Sequence, residues 1–164
     1  VVIQMTWPGA PTIYYGDEAG VCGFTDPDNR SPYPWGHQDQ ELIAFHKEII
    51  RIHKAHKEFL TGSLKFVDAD YNLIGYGRFT KEGQSVILVN NNDYEITKEW
   101  SVWYLGTPKE CMVNRLMLTT AEGYSTEPKE YPVIAGKVKV TLPPTSAIFL
   151  RHESRAERSF LQFS

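Results

Sequence analysis

The stretch Lys137-Val138-Lys139-Val140-Thr141-Leu142 alternates polar and apolar side chains without a break. A period of two is typical of a β-strand that has one buried face and one exposed face. On either side of this stretch the same period recurs between clusters of turn-forming residues. It predicts further strands at residues 64–67, 72–79, 85–90, 99–105, 111–118 and 147–151. Short strands in such succession favour an antiparallel β-sandwich.

Two local features refine this β-region. Lys81-Glu82-Gly83-Gln84 places a glycine between two predicted strands, which favours a hairpin turn. Trp100 and Trp103 lie an odd number of positions apart on one predicted strand, so they point to opposite faces. We expect one of them in the core and the other at the surface. There it either packs against another part of the protein or offers a platform for a sugar.

Residues 39–60 change to a helical period. The side chains on one face of this segment recur at steps of three and four residues, which indicates one amphipathic helix. The side chains are those of Leu42, Phe45, Ile49, Ile52, His56 and Phe59. Asp39 is suited to cap this helix, and Thr61-Gly62 is suited to end it. One helix cannot bury such a face alone, so we expect it to pack on the sheet, with a domain boundary near Thr61.

The segment before this helix reads differently. Pro11-Thr12-Ile13-Tyr14-Tyr15 is bounded by turn formers, which favours a short buried strand. It leads to adjacent carboxylates at Asp17 and Glu18, and α/β barrels build active sites where strands end. Residues 19–38 are rich in Gly and Pro and predict a long irregular loop. A complete barrel needs about 250 residues, so 164 residues cannot hold one.

Composition argues against several classes of protein. The chain is 41% hydrophobic with a net charge of -3 and no basic block, which indicates a packed protein that does not bind nucleic acid. No apolar run approaches the roughly 20 residues of a membrane span. Cys22 and Cys111 are far apart in the sequence, which favours a reducing, cytoplasmic compartment. A disulfide between them is the alternative. His53 and His56 have the spacing of a metal pair, but no further ligand completes a site, so no metal or cofactor is predicted.

Three segments of the chain resemble the α-amylase superfamily of glycoside hydrolases, and in particular cyclomaltodextrinase, neopullulanase and maltogenic amylase. Residues 9–18 resemble the eighth strand of the family's (β/α)8 barrel. Residues 26–30, followed by 32–35, resemble the loop after that strand. Residues 76–79 and 142–147 resemble the family's C-terminal β-domain. The resemblance covers roughly residues 3–150 and concerns only the C-terminal portion of such an enzyme.

The resemblance implies a domain organisation. Residues 1–61 correspond to the last strand, loop and helix of an incomplete barrel, and residues 62–151 to an all-β sandwich domain. Residues 152–164 show no period, and we expect a disordered tail there. The family's catalytic carboxylates stand on barrel strands four, five and seven, to which nothing in this chain matches. We therefore assign no catalytic residue and expect the chain alone to be inactive.

The resemblance also implies a substrate site. Asp26 and Arg30 match an Asp and an Arg that contact sugar hydroxyls in this subgroup, and such groups grip vicinal hydroxyls well. Phe24, Tyr33 and Trp35 add an apolar surface for a sugar face. The competing interpretation is a salt bridge that only orders the loop. Asp17 and Glu18 are interpreted as scaffold, because adjacent side chains on a strand point apart.

Three kinds of partner follow. An intact enzyme would hydrolyse α-1,4 or α-1,6 glucosidic bonds of an α-glucan oligosaccharide with retention. The chain would pack on the missing part of the barrel, or pair with a second copy through the edge of residues 11–15 to form a homodimer. The alternative function is a stand-alone carbohydrate-binding or interaction module.

Overall fold

The computed structural model describes residues 1–153, in which a helical segment precedes an all-β segment. The helices are α1 (Val2–Thr6), α2 (Gln40–Ala55) and α3 (Lys57–Thr61). Single 3-10 turns lie at Asp17–Ala19, Asp28–Arg30 and Trp103–Leu105. The strands are β1 (Ser63–Asp70), β2 (Leu73–Phe79), β3 (Gly83–Asn90), β4 (Ile96–Ser101), β5 (Cys111–Thr120), β6 (Gly123–Ser125), β7 (Glu130–Ile134), β8 (Lys137–Leu142) and β9 (Ser146–Glu153).

The strands form one nine-stranded sheet in which every pairing is antiparallel. Their order is β1-β2-β3-β9-β5-β7-β8-β4, with β6 paired to β5. The sheet nearly closes, because side chains join its two edges: Lys98 on β4 pairs with Asp68 on β1, and the Tyr104 hydroxyl donates to the Val67 oxygen at 3.2 Å. A mainly β, antiparallel fold is therefore confirmed. The two layers of the expected sandwich belong to one nearly closed sheet.

Alternation along the central strands divides the apolar side chains between two cores. On β3, Val86 and Leu88 point into the closed sheet, whereas Ile87 points to its outer face. Trp100, 1% exposed, belongs to the inner core. The outer face is covered by the helices, through the cluster Met5, Ile49, Ile52, Phe59, Tyr76, Ile87, Met117 and Phe149. The expected packing of an amphipathic helical face on the sheet is observed.

The predicted helix is interrupted. Asp39 caps α2 as expected, accepting a hydrogen bond from the Leu42 amide at 2.9 Å. At His56, however, the backbone is extended (φ −123, ψ 113), and a separate turn of helix follows. The apolar face continues across the break, from Ile52 to Phe59. Periodicity alone could not reveal the break, because both helices bury their side chains in the same core.

Three predictions for the all-β segment and its end need correction. The predicted strand at residues 99–105 ends at Ser101, and Trp103–Leu105 forms a 3-10 turn closed by Gly106 in the left-handed region (φ 93). Strands β6 and β7 were not predicted, because β6 has three residues and β7 contains Pro132, which disfavours a strand. His152 and Glu153, which were predicted to begin a disordered tail, belong to β9. Residues 154–164 lie outside the described part of the chain.

Residues 11–15 do not form a strand. They run without regular structure to Tyr15 (φ 51) and Gly16 (φ 95), which turn the chain into the 3-10 turn Asp17–Ala19. The physical reason is the lack of a neighbour: a strand forms by pairing, and no strand in residues 1–153 lies beside this segment. The tyrosines expected to be buried are half exposed, Tyr14 at 55% and Tyr15 at 50%.

Buried polar contacts fasten the helical segment to the sheet. Arg78 on β2 donates to the main-chain oxygens of Thr6 at 2.6 Å, Gly62 at 2.9 Å and Phe59 at 3.3 Å. A second cluster joins α3 to the sheet: Glu58 accepts hydrogen bonds from Ser85 at 2.7 Å and from Arg151 at 2.8 Å. Arg78, Glu58 and Arg151 are all at least 96% buried. Because these contacts come from well-separated parts of the chain, they set how the helices sit on the sheet.

Candidate functional site

The candidate site is the loop between the 3-10 turn Asp17–Ala19 and helix α2. The two ends of this loop lie side by side, because the Asp39 amide donates a hydrogen bond to the Ala19 main-chain oxygen at 3.2 Å. Gly16 gives the entry its tight geometry, since a Cβ there would lie 2.9 Å from the Val21 Cγ2 atom. Asp17 accepts a hydrogen bond from the Tyr14 amide at 3.1 Å. This contact supports the structural interpretation of Asp17.

Asp26 and Arg30 form an exposed ion pair across one turn of this loop. The Arg30 Nε lies 2.8 Å from one carboxylate oxygen of Asp26, and an Nη lies 3.2 Å from the other, so the pairing is bidentate. The two side chains are 64% and 60% exposed. The remaining N–H groups of Arg30 and lone pairs of Asp26 face solvent, where they can donate to and accept from neighbouring hydroxyls.

The predicted aromatic residues are placed around the same loop. Phe24 is 96% exposed and Trp35 is 79% exposed, while Tyr33 is half-buried. Tyr33 and Trp35 contact each other, with ring centroids 4.7 Å apart. Within residues 1–153 we find no hydrogen bond or ring contact that joins this aromatic pair to Asp26 and Arg30, or that brings Phe24 to either. The loop thus presents two separate pairs and one isolated ring.

Tyr15 is a residue of this site that sequence reasoning missed. Its hydroxyl donates to the Arg30 main-chain oxygen at 3.3 Å, and its ring lies 5.6 Å from that of Tyr14. The residue was assigned to a buried strand, so its polar group was not considered. The two adjacent tyrosines were a sign against a buried strand. A buried tyrosine hydroxyl needs a hydrogen-bond partner, and a strand that is buried on both faces rarely offers partners for two such hydroxyls.

The loop is open to solvent. A cavity of about 880 Å³ lies elsewhere, between the start of α2 and the turn that joins β5 to β6. Its lining includes Leu42, Phe45 and Tyr124, but neither Asp26 nor Arg30. The candidate residues therefore lie on an exposed loop in this chain rather than in an enclosed pocket.

The other candidate groups contact main-chain oxygens. The ring Nδ1 of His53 lies 2.7 Å from the Met5 oxygen, and that of His46 lies 2.8 Å from the Leu42 oxygen. Across residues 1–153 no three His, Cys, Asp or Glu side chains are grouped to hold a metal ion. Cys22 and Cys111 are free thiols. No helix in the same residues is long and apolar enough to cross a membrane.

Curated relatives are similar to this chain over half or more of its length. The amylopullulanase of Thermoanaerobacterium saccharolyticum is 28% identical over 163 residues, covering 91% of the chain and 12% of that enzyme. The cyclomaltodextrinase of a Bacillus species is 40% identical over 96 residues, covering 57% of the chain and 17% of the enzyme. Neopullulanase 2 of Thermoactinomyces vulgaris is 38% identical over 95 residues, covering 56% and 16%. The chain therefore spans less than a fifth of these relatives.

Solved structures share the fold. The debranching enzyme of Nostoc punctiforme matches 91% of the chain with a TM-score of 0.69 and 27% identity, using 29% of its own length. A cyclomaltodextrinase matches 90% of the chain with a TM-score of 0.66 and 26% identity, using 24% of its own length. No protein-family model matches the sequence. The sequence and structural relatives together confirm that the chain resembles the C-terminal portion of α-amylase-superfamily glycoside hydrolases.

Proposed function

We propose that the chain is the C-terminal region of a retaining glycosidase that hydrolyses α-1,4 or α-1,6 glucosidic bonds in maltodextrins, cyclodextrins or pullulan. The exposed, bidentate Asp26–Arg30 pair is the observation that carries this proposal, because it stands in the segment that resembles the family's substrate-contacting loop. The names of the relatives, amylopullulanase, cyclomaltodextrinase and neopullulanase, support an α-glucan as the substrate class.

The pair suits a sugar for a geometric reason. Each group already fixes the other, so both are held in position before a ligand arrives, and pre-organisation lowers the entropic cost of binding. A pyranose offers hydroxyls on adjacent carbons, each able to donate and accept. Asp26 accepts and Arg30 donates, which matches such a pair of hydroxyls. Trp35, supported by Tyr33, adds an exposed ring within the same loop.

Residues 1–61 and 62–151 are proposed to serve different parts of that enzyme. The first would supply the last loop and helices of the barrel, with residues 11–15 pairing as its last strand beside the rest of the barrel, and the second a β-domain that covers the helices. Large apolar side chains exposed on the first segment support its packing against another part of the enzyme: Val1, Ile3, Trp7, Tyr14, Tyr15, Phe24 and Trp35. A surface of this kind is typical of one that another part of a protein covers.

The chain alone is proposed to be inactive. Retaining glycosidases need two carboxyl groups about 5–5.5 Å apart, and the family places them on barrel strands that this sequence does not match. The purified chain should release no reducing sugar from β-cyclodextrin or pullulan. Release that persists through purification and depends on the chain would overturn this part of the proposal.

A chimera tests the rest. The chain replaces the matching region of the Bacillus cyclomaltodextrinase, and hydrolysis of β-cyclodextrin is measured. We expect an active chimera in which Asp26→Ala or Arg30→Ala raises KM about tenfold or more while changing kcat less, as loss of a charge-assisted contact predicts.

Lys57→Ala and Glu82→Ala form the matched control, because these residues make an exposed ion pair at 3.0 Å on a different surface. Their KM should stay within twofold of the parent chimera, roughly the scatter expected for a surface pair. A KM that responds equally to both pairs, or to neither, would contradict a substrate role for Asp26 and Arg30.

A further inference from the structure

Trp103 is an exposed aromatic residue that the loop site does not use. It begins the 3-10 turn that follows β4, and 51% of its surface is exposed, in contrast to Trp100 at 1%. Exposed tryptophans are uncommon because the ring is large and mostly apolar. Its surroundings therefore decide whether it is an incidental surface residue or part of a built surface.

The ring is held by the hairpin that joins β7 to β8. The Gly136 oxygen accepts hydrogen bonds from the amides of Val102 at 2.9 Å and Trp103 at 3.2 Å, and the Gly136 amide donates to the Lys109 oxygen at 2.9 Å. A Cβ at Gly136 would lie 2.7 Å from the Trp103 Cβ and 2.9 Å from its Cδ1. Only glycine allows this approach, so the backbone of the hairpin fixes where Trp103 stands.

Further contacts restrict the indole. The Tyr104 ring lies edge-on to it, with centroids 5.4 Å apart and an interplanar angle of 75°. Tyr104 is itself anchored by its hydrogen bond to Val67 and by the Lys65 ammonium, 4.8 Å from its ring centre. Trp103 is thus exposed and yet fixed, which is the state in which an aromatic platform loses little entropy on binding.

Polar groups border the same ring. The Lys109 ammonium lies 5.8 Å from the centre of the Trp103 ring. Glu110, the next residue, accepts a hydrogen bond from the Ala135 amide at 2.8 Å and remains exposed. Ile134, 63% exposed, extends the apolar surface along the hairpin. The surface formed by Trp103, Lys109, Glu110 and Ile134 is called the hairpin platform below.

We propose that the hairpin platform is a second binding site for an α-glucan oligosaccharide, separate from the loop of Asp26 and Arg30. A glucose unit has one face of C–H groups, which stacks on an indole, and a rim of hydroxyls, which a neighbouring ammonium and carboxylate can bind. The proposal rests on the proposed function for its substrate class. It adds a site on the β-domain that holds substrate without contacting the bond that is cleaved.

The test follows the four tryptophan indole N–H signals of the whole chain by NMR during a titration with maltoheptaose. Each signal is assigned by its loss in the corresponding Trp→Phe variant. We expect the Trp103 signal to shift saturably. Trp103→Ala should weaken binding measured by calorimetry about tenfold or more, since a central aromatic contact dominates small interfaces. Tyr94→Ala is the matched control and should leave this binding within twofold, because Tyr94 is exposed to a similar extent, 59% against 51%, but belongs to neither proposed sugar site.

The outcomes separate the two proposals. A saturable Trp103 shift with binding lost in Trp103→Ala supports the hairpin platform. If Trp35 shifts and Trp103 does not, or if no signal moves up to the solubility limit of the sugar, the platform is overturned. The proposed function is judged separately, by the KM of the chimera. Circular dichroism of Trp103→Ala checks that this variant folds. Lys109→Gln leaves the Trp103 ring in place and should also weaken binding. If the Trp103→Ala and Lys109→Gln variants both bind as tightly as the original chain, the platform is again overturned.

Discussion

Replacing Arg78 by methionine tests the contact that fastens the helical segment to the sheet. The Arg78 side chain is 1% exposed and donates to the main-chain oxygens of Thr6, Phe59 and Gly62. Methionine fills a similar volume but donates no hydrogen bond, so three carbonyl groups lose a donor. Each buried group left unsatisfied costs about 1–3 kcal/mol, which sets an upper range of about 3–9 kcal/mol for the three together.

Two effects reduce that range. Burial disfavours the charged guanidinium and lowers the pKa of Arg78, so the substitution also removes an unfavourable desolvation. Water can also reach some carbonyl groups once the side chain is smaller at its tip. We therefore expect the free energy of unfolding to fall by about 3–5 kcal/mol, the range found when one member of a buried charged contact is removed.

The measurement is guanidinium chloride unfolding followed by circular dichroism, with linear extrapolation to water. Arg115→Met is the matched control, because Arg115 is only half-buried and also donates twice to a main-chain oxygen, that of Glu127 at 2.7 and 3.0 Å, through hydrogen bonds that are open to solvent. Its cost should be about 0.5 kcal/mol. A loss in Arg78→Met no larger than that in Arg115→Met would refute the argument that these three contacts hold the helices on the sheet.

Two further predictions concern the same sheet. Burial of Glu58 acts to raise its pKa, but hydrogen bonds from Ser85 and Arg151 and the charge of Arg151 outweigh burial and lower the pKa. The carboxylate therefore stabilises the fold above the unfolded pKa and loses this effect as pH falls through the folded pKa. Glu58→Gln should cost about 3 kcal/mol at pH 7 and flatten the acid limb of stability against pH; an unchanged acid limb would contradict this role. Gly77→Ala should lower the free energy of unfolding by about 1–3 kcal/mol, because the added Cβ would lie 2.4 Å from both δ carbons of Leu105. Thermal unfolding tests this prediction. A melting temperature within 1 °C of the original, an effect well below ~1 kcal/mol, would show that Leu105 moves aside freely.

The sequence predictions were accurate where they depend on residues close together in the sequence, and less accurate where they depend on contacts between distant residues. Lys137–Leu142 was predicted with its observed bounds, and the Asp39 cap was correct, because alternation and capping are local properties. The hairpin predicted at Lys81–Gln84 is observed, but its turn is displaced: Gly83 and Gln84 already belong to β3, and Gln84 pairs with Phe79. The strand at residues 11–15 was wrong, because an apolar run provides no partner for its backbone. Strand β7 was missed because pairing with β5 and β8 outweighs the proline within it.

The candidate site divides in the same way. Asp26 and Arg30 are four positions apart, and the structure joins them in the salt bridge that the competing interpretation of this loop expected. The hydroxyl of Tyr15 reaches Arg30 across 15 positions, and that contact depends on how the whole loop folds back. The substrate role of these residues stays a prediction until the chimera is measured.

By itself, the amino-acid sequence determined that the chain is mainly β and antiparallel, where most strands run, and which enzymes it resembles. Those properties depend on residues that are close together in the sequence, so patterns such as the alternation of polar and apolar side chains reveal them directly. Only the tertiary structure decided that the sheet nearly closes, that Arg78 and Glu58 are buried, and that Trp103 stands exposed on Gly136. Charged side chains are rarely buried without partners, and here the partners lie 16 to 93 positions away. Such contacts form only when distant segments meet, so no local pattern in the sequence can encode them.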